Sequence, residues 1–185
     1  TSSGSVAFTP TDDSSDPVYE EDEIVTLAIS GVTVGSASLG STVSKTITIT
    51  ENETVPSVTL TGTTSIDEKT ETAAVTATLS IKADAAITLA LSKSGTATNS
   101  TDYSISDITV LAGSTSASST LTPVSDTDYE GGSETVILSA SASGISGISN
   151  SNAITITITN KALNSGTTAT YSSSLASSLG GTTEY

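Results

Sequence analysis

Two stretches, "SKTITIT" at 44–50 and "NAITITIT" at 152–159, place Ile and Thr at strictly alternating positions. Successive side chains of a strand point to opposite faces, so this pattern makes a ribbon with one apolar face and one polar face. A helix would scatter the same Ile residues around its circumference. Thr and Ile are also β-branched and stiff at χ1, which favours strands. Similar alternation recurs at 75–81, 87–92 and 135–141, and more weakly at 57–62 and 114–123, where turn residues follow. No stretch carries an apolar stripe of helical period. The spacing predicts an all-β chain of short strands forming an antiparallel β-sandwich.

The chain also repeats itself. Residues 6–31 match residues 118–143: Phe8-Thr9-Pro10 aligns with Leu121-Thr122-Pro123, and Tyr19-Glu20 with Tyr129-Glu130. Glu23, Val25 and Leu27 align with Glu134, Val136 and Leu138, and an Ile/Thr strand then follows in each copy. Residues 1–56 therefore correspond to the C-terminal half of the unit that 57–160 contains in full. Three strands cannot bury both faces of a sandwich. The first half-unit is expected to need completion from outside these residues, by an upstream segment or by another subunit. The chain opens at Thr1 with no apolar leader, which reads as a processed product or a fragment. "ENETVP" at 51–56 is a short linker, and 161–185 is a Ser/Thr/Gly-rich tail, read as a linker or a strand donated to a neighbour.

Composition excludes several functions. The chain has 20 acidic residues against five Lys, no Arg, and a net charge of −15. Such a surface repels nucleic-acid phosphates and anionic membranes. No run of 18 apolar residues is present, so no membrane insertion is expected. Cys and His are absent, which removes the usual nucleophile–base pairs, and no enzyme is expected. Aromatic content of 3% leaves little platform for stacking sugars or bases. Disulfides cannot brace the fold.

Seven of the acids crowd between Asp12 and Glu23 in "TDDSSDPVYEEDE", and "VSDTDYEGGSE" at 124–134 repeats the arrangement before a strand. Like charges in such density repel unless water screens them or a cation neutralises them. Ca²⁺ takes six to eight oxygens, and loops converging at one end of a sandwich can supply carboxylates from distant positions. The plain alternatives are a solvated acidic loop, Tyr side chains that pack at a corner, and a Gly131-Gly132 turn.

Taken in order, "SIDEKTETAAVTATLSI", "SGTATNSTDYSI" and "LAGSTSASSTLTPVSDTDYEGGSETVILSAS" resemble the Calx-beta domain family. The resemblance lies in Glu68, in Gly95-Thr96-Ala97 with Asp102-Tyr103, in Ala112-Gly113, and in the acids that precede a strand. It covers 57–160 as a whole and 1–56 as the back half of a second copy. It implies an Ig-like seven-stranded antiparallel sandwich able to bind Ca²⁺ at one end. By position, the implied ligands are Glu68, Asp102, Asp126, Asp128, Glu130 and Glu134 in the complete unit. In the first copy they are Asp12, Asp13, Asp16, Glu20 and Glu23, with Glu51 and Glu53 after the last strand. The complete unit has "SDTD" in place of adjacent acids and Lys161 after its last strand, so the first copy carries the fuller set.

These readings predict a non-enzymatic structural or adhesive repeat, extracellular or on a cell surface, rigidified by Ca²⁺ where modules join. Its partners are expected to be adjacent copies of the same module or subunit. The alternative is a subunit of a self-assembling extracellular filament or surface layer, in which neighbouring chains complete the partial sandwich. No residue names an adhesion target.

Overall fold

The computed structural model of the 185-residue chain describes residues 3–41, 43–125, 132–149 and 151–159. The described residues form strands and no helix. The first strands are β1 (Val18–Tyr19), β2 (Glu23–Ala28) and β3 (Ser44–Ile49). Next come β4 (Val58–Gly62), β5 (Ser65–Asp67), β6 (Ala73–Leu79), β7 (Lys82–Ala83) and β8 (Ile87–Gly95). The last are β9 (Tyr103–Ser104), β10 (Ile108–Val110), β11 (Ser116–Pro123), β12 (Glu134–Ser143) and β13 (Ile154–Thr159). Every alternating stretch of the sequence is a strand, which follows from the period-2 placement of its apolar side chains.

Residues from 58 onward build two sheets. One has the order β10-β8-β12-β13-β5, and the other has the order β4-β6-β11-β9. All neighbours are antiparallel except β13 and β5, which run parallel. The facing sides of the sheets enclose one core. Ile87 and Leu89 on β8, Val136 and Leu138 on β12, and Ile156 on β13 have no exposed surface. Leu60, Val75, Ala77 and Leu121 close over them from the other sheet. Among the described residues no charged side chain is buried with them, so the core carries no cost of burying a charge. Each large apolar side chain contributes about 1.5–3 kcal/mol by leaving water. Asn152 ties the sheets at an edge: its side chain accepts from the Leu60 amide at 2.8 Å and donates to the Leu60 carbonyl at 3.1 Å.

The repeat has the same register in both copies but not the same surroundings. In the complete unit Glu134 faces Ile158 and Val136 faces Ile156. In the first copy Glu23 faces Ile49 and Val25 faces Ile47. There the match stops. β12 is flanked by β8 and β13 by β5, whereas β2 and β3 pair only with each other among the described residues. Val25, Leu27, Ile47 and Ile49 are half-buried, while Ile24 is 71% exposed. Phe8, the counterpart of the fully buried Leu121 on β11, lies outside any strand and is 39% exposed. A strand forms where a neighbour accepts its backbone hydrogen bonds, and no described strand pairs with Val6–Pro10.

Among the described residues β2 and β3 form a two-stranded sheet by themselves. The tail 161–185 lies outside the described residues.

Two consequences can be measured by urea unfolding. Val136→Ala should cost about 2 kcal/mol because it opens a cavity in a closed core, whereas Val25→Ala should cost under about 1 kcal/mol. Gly95 has φ +120°, and a Cβ there would stand 2.1 Å from the Thr135 carbonyl oxygen. Gly95→Ala should therefore cost about 3 kcal/mol. Gly113→Ala, at φ +73° but with open space around it, should cost about 1 kcal/mol.

Candidate functional site

Antiparallel pairing brings the two ends of the ribbon together. Because Glu23 faces Ile49, the chain approaching β2 through Glu20–Asp22 lies beside the chain leaving β3 through Thr50–Glu53. With Phe8–Thr11 they line a cavity of about 450 Å³. Six carboxylates border it: Asp13, Glu20, Glu21, Glu23, Glu51 and Glu53. Tertiary structure has thus gathered acids from two segments about thirty residues apart in sequence.

Backbone amides hold much of this charge in place. Glu51 is the centre: its carboxylate accepts from the Glu20 amide, from the Asn52 amide at 2.9 Å and from the Glu53 amide at 2.8 Å. The Glu51 amide in turn donates to Asp22 Oδ1 at 2.9 Å, so approach and exit are pinned to each other. Burial works to raise the Glu51 pKa, but these amides and the Glu53 carboxyl outweigh it and hold it below the ordinary carboxylate range. Its neighbour goes the other way. Glu53 is pushed up to about 7, first by its hydrogen bond with the Glu51 carboxylate, then by desolvation and the charges of Asp13, Glu51 and Asp12. The two shifts are opposite because a carboxylate beside a second carboxylate favours the protonated form of one of them. Glu20 is also raised, by desolvation and then by Glu23, Asp13, Asp84 and Glu51.

The other expected ligands of the first copy serve the loop and the joint between units. Asp12 accepts from the Ser14 amide at 3.2 Å, and Asp13 accepts from the Val18 amide at 2.6 Å. Asp16 makes a two-pronged ion pair with Lys82, at 2.6 and 2.7 Å. That pair spans the junction, where β1 runs parallel to β7 with Val18 facing Lys82 and Tyr19 facing Ala83. The Tyr19 ring is buried in the core of the complete unit, and Val55 packs against the same core. The Tyr19 hydroxyl is raised by desolvation and then by Glu21, Glu51 and Asp22. Glu21 sits at φ 63° and turns its carboxylate to the Ser146 amide at 3.0 Å.

In the complete unit, the topology brings Glu68, Asp102 and Glu134 to one end. The Glu68 amide donates to the Thr159 carbonyl at 3.2 Å, and Glu134 begins β12 opposite Ile158. Asp102 accepts from the Thr98 amide, and its carbonyl accepts from Val124 at 2.9 Å. It shapes the turn before Tyr103, whose ring is in the core. Asp126, Asp128 and Glu130 lie outside the described residues.

Among the described residues no three acids converge closely enough, as their side chains stand, to grip a metal ion. Glu21 and Asp22 were not singled out by the sequence, although both take part in the structure. They belong to the same acidic run, and no spacing rule separates a joint residue from a ligand. No protein-family model matches the chain, and no curated protein matches it.

The raised Glu53 pKa can be tested directly. The Glu53 folded-state pKa of about 7 lies above its ordinary value of 4.5. The stability it lends is therefore full below the ordinary value and is lost as pH rises through about 7. Carboxyl ¹³C titration should place the Glu53 midpoint near that value. In Glu51→Gln the midpoint should fall toward the ordinary range, because an amide can donate to the Glu53 carboxylate. Lys82→Ala should cost at most about 1 kcal/mol, since the Asp16 side chain is 76% exposed.

Proposed function

We propose that this chain is a non-enzymatic extracellular structural or adhesive repeat, built as a Calx-beta-like, Ig-like sandwich preceded by half of another, with a Ca²⁺ site at the acidic end of the first copy. The observation that carries the reading is the set of six carboxylates from two chain segments lining one cavity. The donors are all oxygens, which suits a hard cation and not a thiophilic or imidazole-seeking metal. The fit is one of chemistry. The raised Glu53 pKa reflects crowded negative charge, which a divalent ion would relieve. Bound Ca²⁺ would neutralise a concentration of negative charge set beside the joint between units.

The joint explains why such a site serves a mechanical role. β1 already docks on β7, and Tyr19 already fills the neighbouring core. The acids on either side of Tyr19 repel one another, and relief of that repulsion stiffens the joint. Absence of His and Cys, few aromatics and a net charge of −15 all favour this reading over catalysis, nucleic-acid binding or binding to anionic membranes. Extracellular modules bind Ca²⁺ at about 10⁻⁴–10⁻³ M, so the site would be filled outside a cell.

A second reading is favoured by the outer edges of β2 and β3, which pair with no described strand. In it the chain is a subunit of an extracellular filament or surface layer, completed by neighbouring chains.

Calorimetry tests the first reading. Ca²⁺ should bind with release of about one proton near pH 6 and with higher affinity at pH 8, and Glu51→Gln/Glu53→Gln should abolish the heat. Each tenfold excess over the dissociation constant should add about 1.4 kcal/mol of stability, removed by EDTA. No heat at millimolar Ca²⁺, or heat indifferent to the double substitution, rejects the site.

A further inference from the structure

The β2–β3 ribbon carries an apolar face that is only half-buried, and the molecule contains a second, covered version of it. We infer that the ribbon is the docking face for a front-half segment of the same repeat, of the chemistry of residues 57–113, carried in line ahead of Val6. In that arrangement a strand like β8 pairs antiparallel with β2, a strand like β5 lies parallel to β3, and a sheet like β4-β6-β11 covers Val25 and Ile47. This rests on the repeat and its register, not on the Ca²⁺ reading, so the two can fail separately.

Three observations select this occupant. The first is register. Val136 faces Ile156 across β12–β13 and Gly95 across β12–β8, and Thr157 faces Ser65 across β13–β5. Since Val25–Ile47 reproduces Val136–Ile156, the same two strands fit the free edges of the ribbon without a shift. The second is Val6–Pro10. Its counterpart in the complete unit is the end of β11, where Leu121 is fully buried and faces Ala73 of β6. Phe8 is 39% exposed and Val6 is 82% exposed, so this polypeptide already carries the segment that would form one strand of the covering sheet, ahead of β2 in sequence and without a described strand beside it. The third argues against a second copy as the occupant. The front half of each chain is filled by its own β12–β13 pair, whose Val136 and Ile156 have no exposed surface. A second copy would have to expel that pair, and two chains of net charge −15 also repel.

The test extends the full chain by a second set of residues 57–113 joined ahead of Thr1, so that residues 1–5 take the place of 114–118. Amide exchange in Glu23–Ala28 and Ser44–Ile49 should slow by about 100-fold or more relative to the unextended chain. The extended chain should sediment as a monomer. Because the protein contains no Cys, a register probe is available. Ile137 faces Ser94, so Thr26→Cys paired with Ser94→Cys in the added segment should form a disulfide, and Thr26→Cys paired with Leu91→Cys there should not. Protection of β12–β13 in the same sample reports that the host unit is folded. Ribbon amides that exchange as fast as before while β12–β13 stays protected overturn the inference. So does a stable dimer of the unextended chain with a protected ribbon, which would make a second copy the occupant.

Discussion

An Ile/Thr strand pair is half of a structure: its ladder has two open edges, and its apolar face needs a cover. Everything in this chain turns on how that demand is met. For β12–β13 it is met four ways, by β8 on one edge, by β5 on the other, by the facing sheet, and by the loop at 144–149 that carries the buried Ile145. The result is a core in which, among the described residues, no charged side chain is buried. For β2–β3, a pair in the same register, no further described strand pairs with either edge. Backbone pairing alone stabilises a two-stranded ribbon marginally, which is why the same pattern yields fully buried Val136 and half-buried Val25.

The second theme is charge at a strand end. Antiparallel pairing forces the approach and exit of a hairpin to lie side by side. Where both are acidic, as in Glu20–Glu23 and Glu51–Glu53, repulsion is unavoidable. The fold relieves it with backbone amides aimed at Glu51, while the crowding raises the Glu53 pKa to about 7. It also diverts two acids outward: Asp16 to Lys82, and Glu21 to the Ser146 amide. The acids thus divide into those that fasten one unit to the next and those left around the cavity. In the complete unit, Glu68 follows the strand that pairs beside Thr159. A covered ribbon would place an equivalent carboxylate beside Thr50, adding to the donors around Glu51.

Much of the architecture was legible residue by residue. The alternation at 44–50, 75–81, 87–92 and 152–159 became β3, β6, β8 and β13, because a period of two has only one regular backbone that segregates its faces. The repeat aligned Val25 with Val136, and the registers agree. The short strands β1 and β7 were not legible. Two residues carry no periodicity, and they pair only because the joint brings them together. At the site, the crowding of acids was visible, but not their division of labour. Asp13 and Asp16 are three positions apart in one loop, yet one lines the cavity and caps Val18 while the other leaves for Lys82.

The amino-acid order by itself determined the longer alternating strands, their inward faces, the duplication and the negative charge, because each is a local property of side-chain type and spacing. Only the tertiary structure decided which copy of the ribbon is covered, which acids face the cavity, and that Tyr19 joins the neighbouring core. Those outcomes depend on neighbours distant in sequence, and a strand's own residues do not specify who stands beside it.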